Sequence, residues 1–228
     1  FQDRHEMDHH VVAARALLSC RQAVLATHAC NIPGFPLTSV VPVGVSYEGH
    51  VLVLISELAQ HTRNLQLDTR MSLMLHDDQE HNWQATTRLS VIGHLEALRP
   101  DDQQLEHIRR AYYRVHPELD GFDQQMDFSF WQLKPLRHRL IAGFAQVRWL
   151  DQVDPRLFSL EDQDYQELEA LLPQQQHPIR ILHVSHFGAQ VLVQGRIRFL
   201  SFLEPVSSLA GAAAKLRTGS FQDLTQTR

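Results

Sequence analysis

Cysteine is nearly missing from this chain: 228 residues hold two, Cys20 and Cys30. They make neither a CxxC pair nor a framework of bridges, which excludes a disulfide-stapled scaffold and a zinc ribbon and leads us to expect a reducing, cytoplasmic setting. Long apolar runs are missing too. The longest, at 40–47 and 51–56, fall far short of the roughly 20 residues a membrane helix needs, so a soluble chain with no membrane partner is expected. Positive charge is not in excess: 21 Lys and Arg stand against 26 Asp and Glu, for a formal charge of −5. The basic residues are scattered along the sequence, so a nucleic-acid partner is not expected either. The chain carries no phosphate-loop motif, GxSxG elbow or HExxH helix, and the best-marked catalytic classes go with them.

What is present is a core and an unusual number of imidazoles. Apolar residues make up 43% of the chain, enough for a large domain plus a small one, and there are 15 histidines. Residues 8–20 space Val11, Ala14, Leu17 and Leu18 as a short amphipathic helix. The runs 23–29, 38–46 and 50–56 read as three strands separated by Pro33-Gly34 and Glu48-Gly49 turns. A helix over 57–68 follows, with Ser56 placed before its start, then strands at 70–76 and 86–98, where Gly93 marks a bulge or a close approach. A strong helix spans 102–116 and stops at Pro117; strands at 127–134 and 137–150 are joined at Pro135. Consecutive strands with so few helices between them favour an antiparallel barrel over a doubly wound sheet.

Residues 1–150 therefore read as one closed β-barrel domain and 151–228 as a small domain of α-β-β-β-α order: a mainly β, α+β chain. In the second domain, Ser159 and Asp162 resemble a capping box before a helix ending near Leu172; strands follow at 180–185, 190–193 and 196–203, and a helix at 206–217.

Two segments carry candidate chemistry. His76, Asp77, Asp78 and His81 cluster in a turn between strands, a metal site or, more simply, a solvated acidic turn. The segment Ser56 to Leu65 starts a helix just after a strand, where free backbone N–H groups with Ser56, Gln60, His61, Arg63 and Asn64 suit an anionic cofactor group. The competing reading is a polar helix surface whose His61 and Asn64 bond locally.

The run Pro33-Gly34-Phe35-Pro36, Ser39-Val40-Val41-Pro42, Leu54-Ile55-Ser56, Ala59 to Leu65 and Asp68 to Leu73 resembles the pyridoxamine phosphate oxidase-like, FMN-binding split-barrel superfamily. Tyr112-Tyr113, His116-Pro117, Asp127-Phe128, Phe130-Trp131, Ile141 to Ala145 and Trp149 resemble its haem-utilisation branch. The resemblance implies a homodimer whose small-molecule cofactor, FMN or haem, sits in a cleft between two barrels. It also implies a cofactor site built from Ser39, Val41, Ser56, Gln60, His61, Arg63 and Asn64, with Arg139 placed to pair with a carboxylate. Where the flavin enzymes put Arg or Lys on the phosphate, this chain offers Thr38, Ser39, Gln60 and His61.

Longer haem-utilising relatives carry a histidine-bearing helix in the C-terminal domain. Asp164 to Glu169 stands there instead, which leaves His183 and His186 as the candidate haem ligands. The functions implied are haem-iron utilisation, an FMN-dependent reductase or oxidase, or a non-catalytic cofactor-binding protein. No residue presents itself as general acid or base, so enzymatic activity, of a haem-degrading or a flavin-dependent kind, stays open.

Overall fold

Alternation sets the strands. In β1 (Gln22–His28) Ala23, Leu25 and Thr27 are buried, and in β4 (Arg70–His76) Met71, Leu73 and Leu75 are, each with more open residues between. Such a period of two lines one face of a sheet with core and leaves the other for solvent or ligand. The computed structural model describes residues 9–76, 87–99, 103–142, 146–172 and 179–223. By contact the chain divides into two units, Phe1–Val153 and Asp154–Arg228.

In the first unit β2 (Pro36–Val45), β3 (Val51–Ser56), β5 (Thr87–Ala97), β6 (Phe128–Ala142) and β7 (Val147–Leu150) join β1 and β4 in the order β3-β2-β1-β4-β5-β6-β7. All pairs are antiparallel, and a further β3–β6 pairing closes six strands into a barrel with β7 attached outside the ring.

The 15-residue β6 is longer than the sequence suggests. Where strands over 127–134 and 137–150 were expected to meet at Pro135, one strand runs through the proline and the break falls after Ala142. Its first part, Phe128 to Gln132, pairs with β3, and its last part, His138 to Ile141, pairs with β7. Pro135 lies between these stretches, on a side where no neighbour needs its missing N–H. On the β5 side the register shifts between Ile92 and Gly93, which leaves Leu136 as the extra residue of a bulge. Gly93 is required there: a Cβ would lie 2.3 Å from the Lys134 carbonyl oxygen and 3.0 Å from the Pro135 Cα.

Helices cover part of the barrel. α1 (His9–Ser19) presents Ala13, Ala14, Leu17 and Leu18 to β4, β5 and β6. α3 (Leu105–Val115) has the clean apolar stripe Leu105, Ile108, Ala111, Tyr112 and Val115, and packs Leu105, Ile108 and Tyr112 on Leu52, Leu54 and Phe130. This is why β3 is buried on both faces from Val51 to Ile55 rather than on alternate residues. Tyr112 lies so close to β2 that a Cβ on Gly44 would meet its ring at 2.7 Å. Its other neighbours are the rings of Tyr113 and Phe130, edge-on, and His116, stacked at 4.8 Å.

After α3 a 3₁₀ turn at Pro117–Leu119 and the short α4 (Phe122–Gln125) lead into β6. His116 is held from both ends. Its Nε2–H donates to the Val43 carbonyl at 2.8 Å, and Arg21 donates to Nδ1 at 3.3 Å while pairing with Glu118 at 2.5 Å. Burial pushes the His116 pKa down, disfavouring the charged ring.

In the second unit α5 (Asp162–Leu171), β8 (Ile179–Ser185), β9 (Gly188–Val193), β10 (Arg196–Phe202), α6 (Leu209–Thr218) and β11 (Phe221–Asp223) form a sheet of order β11-β10-β9-β8, with α5 and α6 packed together. The three expected strands are present and β11 adds a fourth. The capping box is Glu161 with Asp164, two residues after the expected Ser159 and Asp162 pair. An acidic side chain at N3 closes back on the N-cap amide in the same way from either position, so spacing alone did not separate the two.

Candidate functional site

With α3 over β2, β3 and β6, the outer wall formed by β1, β4, β5, the second half of β6 and β7 carries the open residues. Cross-strand partners share a face, so the register maps this wall in rows. Val40, Val24, Met74, Ser90, Arg139 and Trp149 are successive partners across six strands. Thr38, Ala26, Ser72, Ile92 and Arg137 form the next row. Beyond it lie Pro36 and His28, then the partners Arg70, His94 and Lys134, with His28 one register step past the Thr27–Met71 pair and so level with Arg70.

A cavity of about 370 Å³ opens on this wall. Its floor is Ala26, Ser72, Gly93 and backbone near Thr27 and Met71; Pro36, Ile92 and Leu136 supply apolar sides, and His28, Arg70 and His94 supply a basic edge. The size lies within the range of small-molecule sites. The bulge makes the shape, because it brings the β6 backbone against Gly93 and stands Leu136 out at 70% exposure.

The polar edge is organised. Arg70 donates from Nε to both Asp68 oxygens, at 2.9 and 3.1 Å, and from Nη2 at 2.5 Å. The pairing holds the Asp68 carboxyl far below its ordinary pKa and raises that of Arg70. His94 Nδ1 lies 2.9 Å from Thr69 Oγ1, which fixes its ring and leaves Nε2 for another partner.

The residues expected from sequence fall into three places. Ser56, Gln60, His61, Arg63 and Asn64 gather at the start of α2 (Gln60–Leu67). There Ser56 donates to Asp127 at 2.6 Å and accepts from the Leu58 amide at 3.1 Å, so its hydroxyl is engaged beside a carboxylate. Gln60 donates to Asn64 at 3.0 Å. Asn64 is wholly buried; it donates to Thr27 Oγ1 at 2.9 Å and accepts from the Cys30 amide at 3.1 Å, tying α2 to β1. His61 is half-buried, with its pKa pushed down by desolvation, and Arg63 is exposed.

Ser39 and Val41 belong to the inward rows, where their partners are Leu25 and Ala23, and Val41 is core. Arg139 is on the outer wall, between Ser90 and Trp149. In the second unit His183 is buried on β8 opposite Gln190, while His186, in the turn after β8, stacks on Phe158 with ring centres 4.6 Å apart. Of the expected metal turn only His76 is among the described residues.

Sequence reasoning missed His28, Arg70 and His94. Each stands at or near a strand end in the outward phase of its strand's alternation, a signal that exists only once the strand register brings the three together.

A closed antiparallel barrel with a ligand-sized cavity on its outer wall defines a split-barrel protein of the pyridoxamine phosphate oxidase-like kind. Residues 5–158 match the family model described as CREG, beta-barrel, and the chain belongs to that family. It is similar to the chloroplastic non-canonical heme oxygenase HOZ of Arabidopsis thaliana, at 29% identity over 122 residues, 54% of this chain and 36% of that protein. It is also similar to the heme oxygenase HutZ of Vibrio cholerae, at 30% over 117 residues, 50% of this chain and 66% of the relative. The chain thus spans about one third and just under two thirds of these proteins' lengths.

Among solved structures, the protein Atu2129 of Agrobacterium tumefaciens, of unknown function, aligns with TM-score 0.65 at 21% identity, over 95% of this chain and 98% of its own. A heme binding protein of Mycobacterium smegmatis aligns with TM-score 0.58 at 21% identity, over 92% and 97%. These two likenesses show the fold.

Proposed function

We propose that this protein is a cytoplasmic homodimer that binds haem on the outer wall of its barrel and serves haem-iron utilisation. The observation that carries the reading is the cavity itself: an apolar floor and sides with imidazoles of His28 and His94 and the Arg70 guanidinium along one edge. Haem asks for that combination, a flat apolar surface for the macrocycle, cations for its carboxylates and an imidazole for its iron. The donor set therefore fits the group. The names of the Arabidopsis and Vibrio relatives support the same reading. The phosphate end of FMN has a poorer place at the α2 start, where Asp127 and Glu57 stand beside Ser56.

Ile92, Leu136 and Pro36 would hold the apolar face of the group and exclude water from it, while Thr69 orients His94. Bound haem supplies the redox chemistry of its iron, and the protein supplies position and charge. Dimerisation is supported by the wall around the cavity. Val40 is 68% exposed and Trp149 49%, with Ile92, Leu136 and Val147 also open, and several exposed apolar side chains on one wall suit an interaction surface. A cytoplasmic setting is supported by Cys20 and Cys30, which are not joined in a disulfide.

Titration of the purified protein with hemin, followed by absorption, tests the reading. A Soret band distinct from free hemin that saturates at one haem per chain, or one per two chains, is expected. A spectrum that remains that of free hemin overturns it.

A further inference from the structure

The geometry points to Arg70 and Lys134, the two cations on either side of His94 in one cross-strand row, as a docking edge for the anionic groups of an amphipathic planar ligand, carboxylate or phosphate, whose ring lies on the apolar side of the cavity. This inference rests on the proposed cofactor site for its location and goes beyond it by assigning the charged end of the ligand to named side chains.

His94 is the direct cross-strand partner of both Arg70 and Lys134, so the two cations stand on either side of one imidazole, with His28 level with Arg70. Asp68 pairs with Arg70 through Nε and Nη2 and its charge also acts on His28, but Nη1 of Arg70 stays outside that pair. Lys134 meets a neutral group, Gln132 Oε1, at 3.2 Å. No residue lining the cavity is acidic among the described residues.

Immediately beside the row, Ile92, Leu136 and Ala26 offer apolar surface, and Gly93 lets the two parts meet without a side chain between them. An anion held by the row would have its ring over Ile92 and Leu136. Charge-assisted hydrogen bonds are the strong ones, and an arginine already fixed by a carboxylate loses little freedom in making one.

Four probes separate the ligand's charge from its ring: hemin, hemin dimethyl ester, FMN and riboflavin. Affinities are measured by absorption or fluorescence at low and high salt for the wild type, Arg70→Gln and Lys134→Gln. The charged member of whichever pair binds is expected to bind more tightly than its neutral counterpart. It should lose about tenfold with Arg70→Gln, less with Lys134→Gln, and weaken with salt, while the neutral member changes by less than about twofold.

Equal binding of charged and neutral members, or equal losses for both on Arg70→Gln, overturns the docking edge and leaves haem binding standing. FMN binding that depends on Arg70, with no hemin binding, retains the docking edge and overturns the haem reading. Binding of none of the four overturns both. The salt dependence of the wild type decides the matter even if a variant fails to fold.

Discussion

Asn64 should matter to the stability of the apoprotein, and its replacement by alanine separates a structural from a ligand-contacting role. Its side chain is wholly buried and bonds to Thr27 Oγ1, the Cys30 amide and the Gln60 amide. Thr27 is also buried, so in Asn64→Ala its hydroxyl and the Cys30 amide would face a cavity without a partner. The Gln60 amide lies nearer solvent and can turn to water. Two lost bonds at about 1 kcal/mol each, plus the cost of leaving buried groups unsatisfied, give about 2–4 kcal/mol. For a domain of this size each kcal/mol lowers Tm by roughly 2–4 °C, so a fall of about 4–16 °C is expected by calorimetry or circular dichroism, without any ligand. A Tm within about 2 °C of wild type would refute the reasoning and return Asn64 to the role of a ligand contact.

Other consequences follow from the same packing. Gly93→Ala drives a Cβ into the Lys134 carbonyl and should cost about 1–3 kcal/mol, read as a lower denaturant midpoint, while flattening the cavity and weakening hemin binding. Burial lowers the pKa of His116 and His138, so the unfolded chain binds more protons than the folded one below the usual histidine value near 6.5. Stability should therefore fall as pH drops from about 6.5 through the lowered folded values, and His116→Gln should make that fall shallower; urea midpoints across pH 5 to 8 check it. Trp149→Glu and Val40→Glu place charge on the exposed wall and should convert a dimer to monomers in gel filtration with light scattering. A wild type that is monomeric at all concentrations would remove the dimer from the account.

Much of the barrel was legible because its information is local. The alternation in β1 and β4, the Pro33-Gly34 and Glu48-Gly49 turns and the amphipathic stripe of α3 each announce one element from its own residues. Gly93 was legible as a bulge for the same reason: a glycine inside a strand pattern needs a close approach to explain it.

What escaped the sequence depends on partners far along the chain. Pro135 breaks a strand in most settings, yet here it falls where β6 changes neighbours from β3 to β7, which only the closed topology reveals. The aromatic motif Tyr112, Tyr113 and Phe130 helps mark the family resemblance, but in the fold its rings pack α3 onto the barrel. At the candidate site, residues close in sequence around α2 were found together, whereas His28, Arg70 and His94 come from three strands and had no shared sequence signal.

The most direct test of the central claim places haem on this wall rather than elsewhere in the chain. Hemin titrations of the wild type are compared with Ile92→Glu and Leu136→Glu, two exposed residues of the cavity whose replacement leaves the core untouched. The account predicts that each variant keeps the wild-type circular dichroism without ligand and loses at least about tenfold in hemin affinity, because a carboxylate would be buried under the ring. Undiminished affinity and an unchanged Soret band in both variants would contradict it.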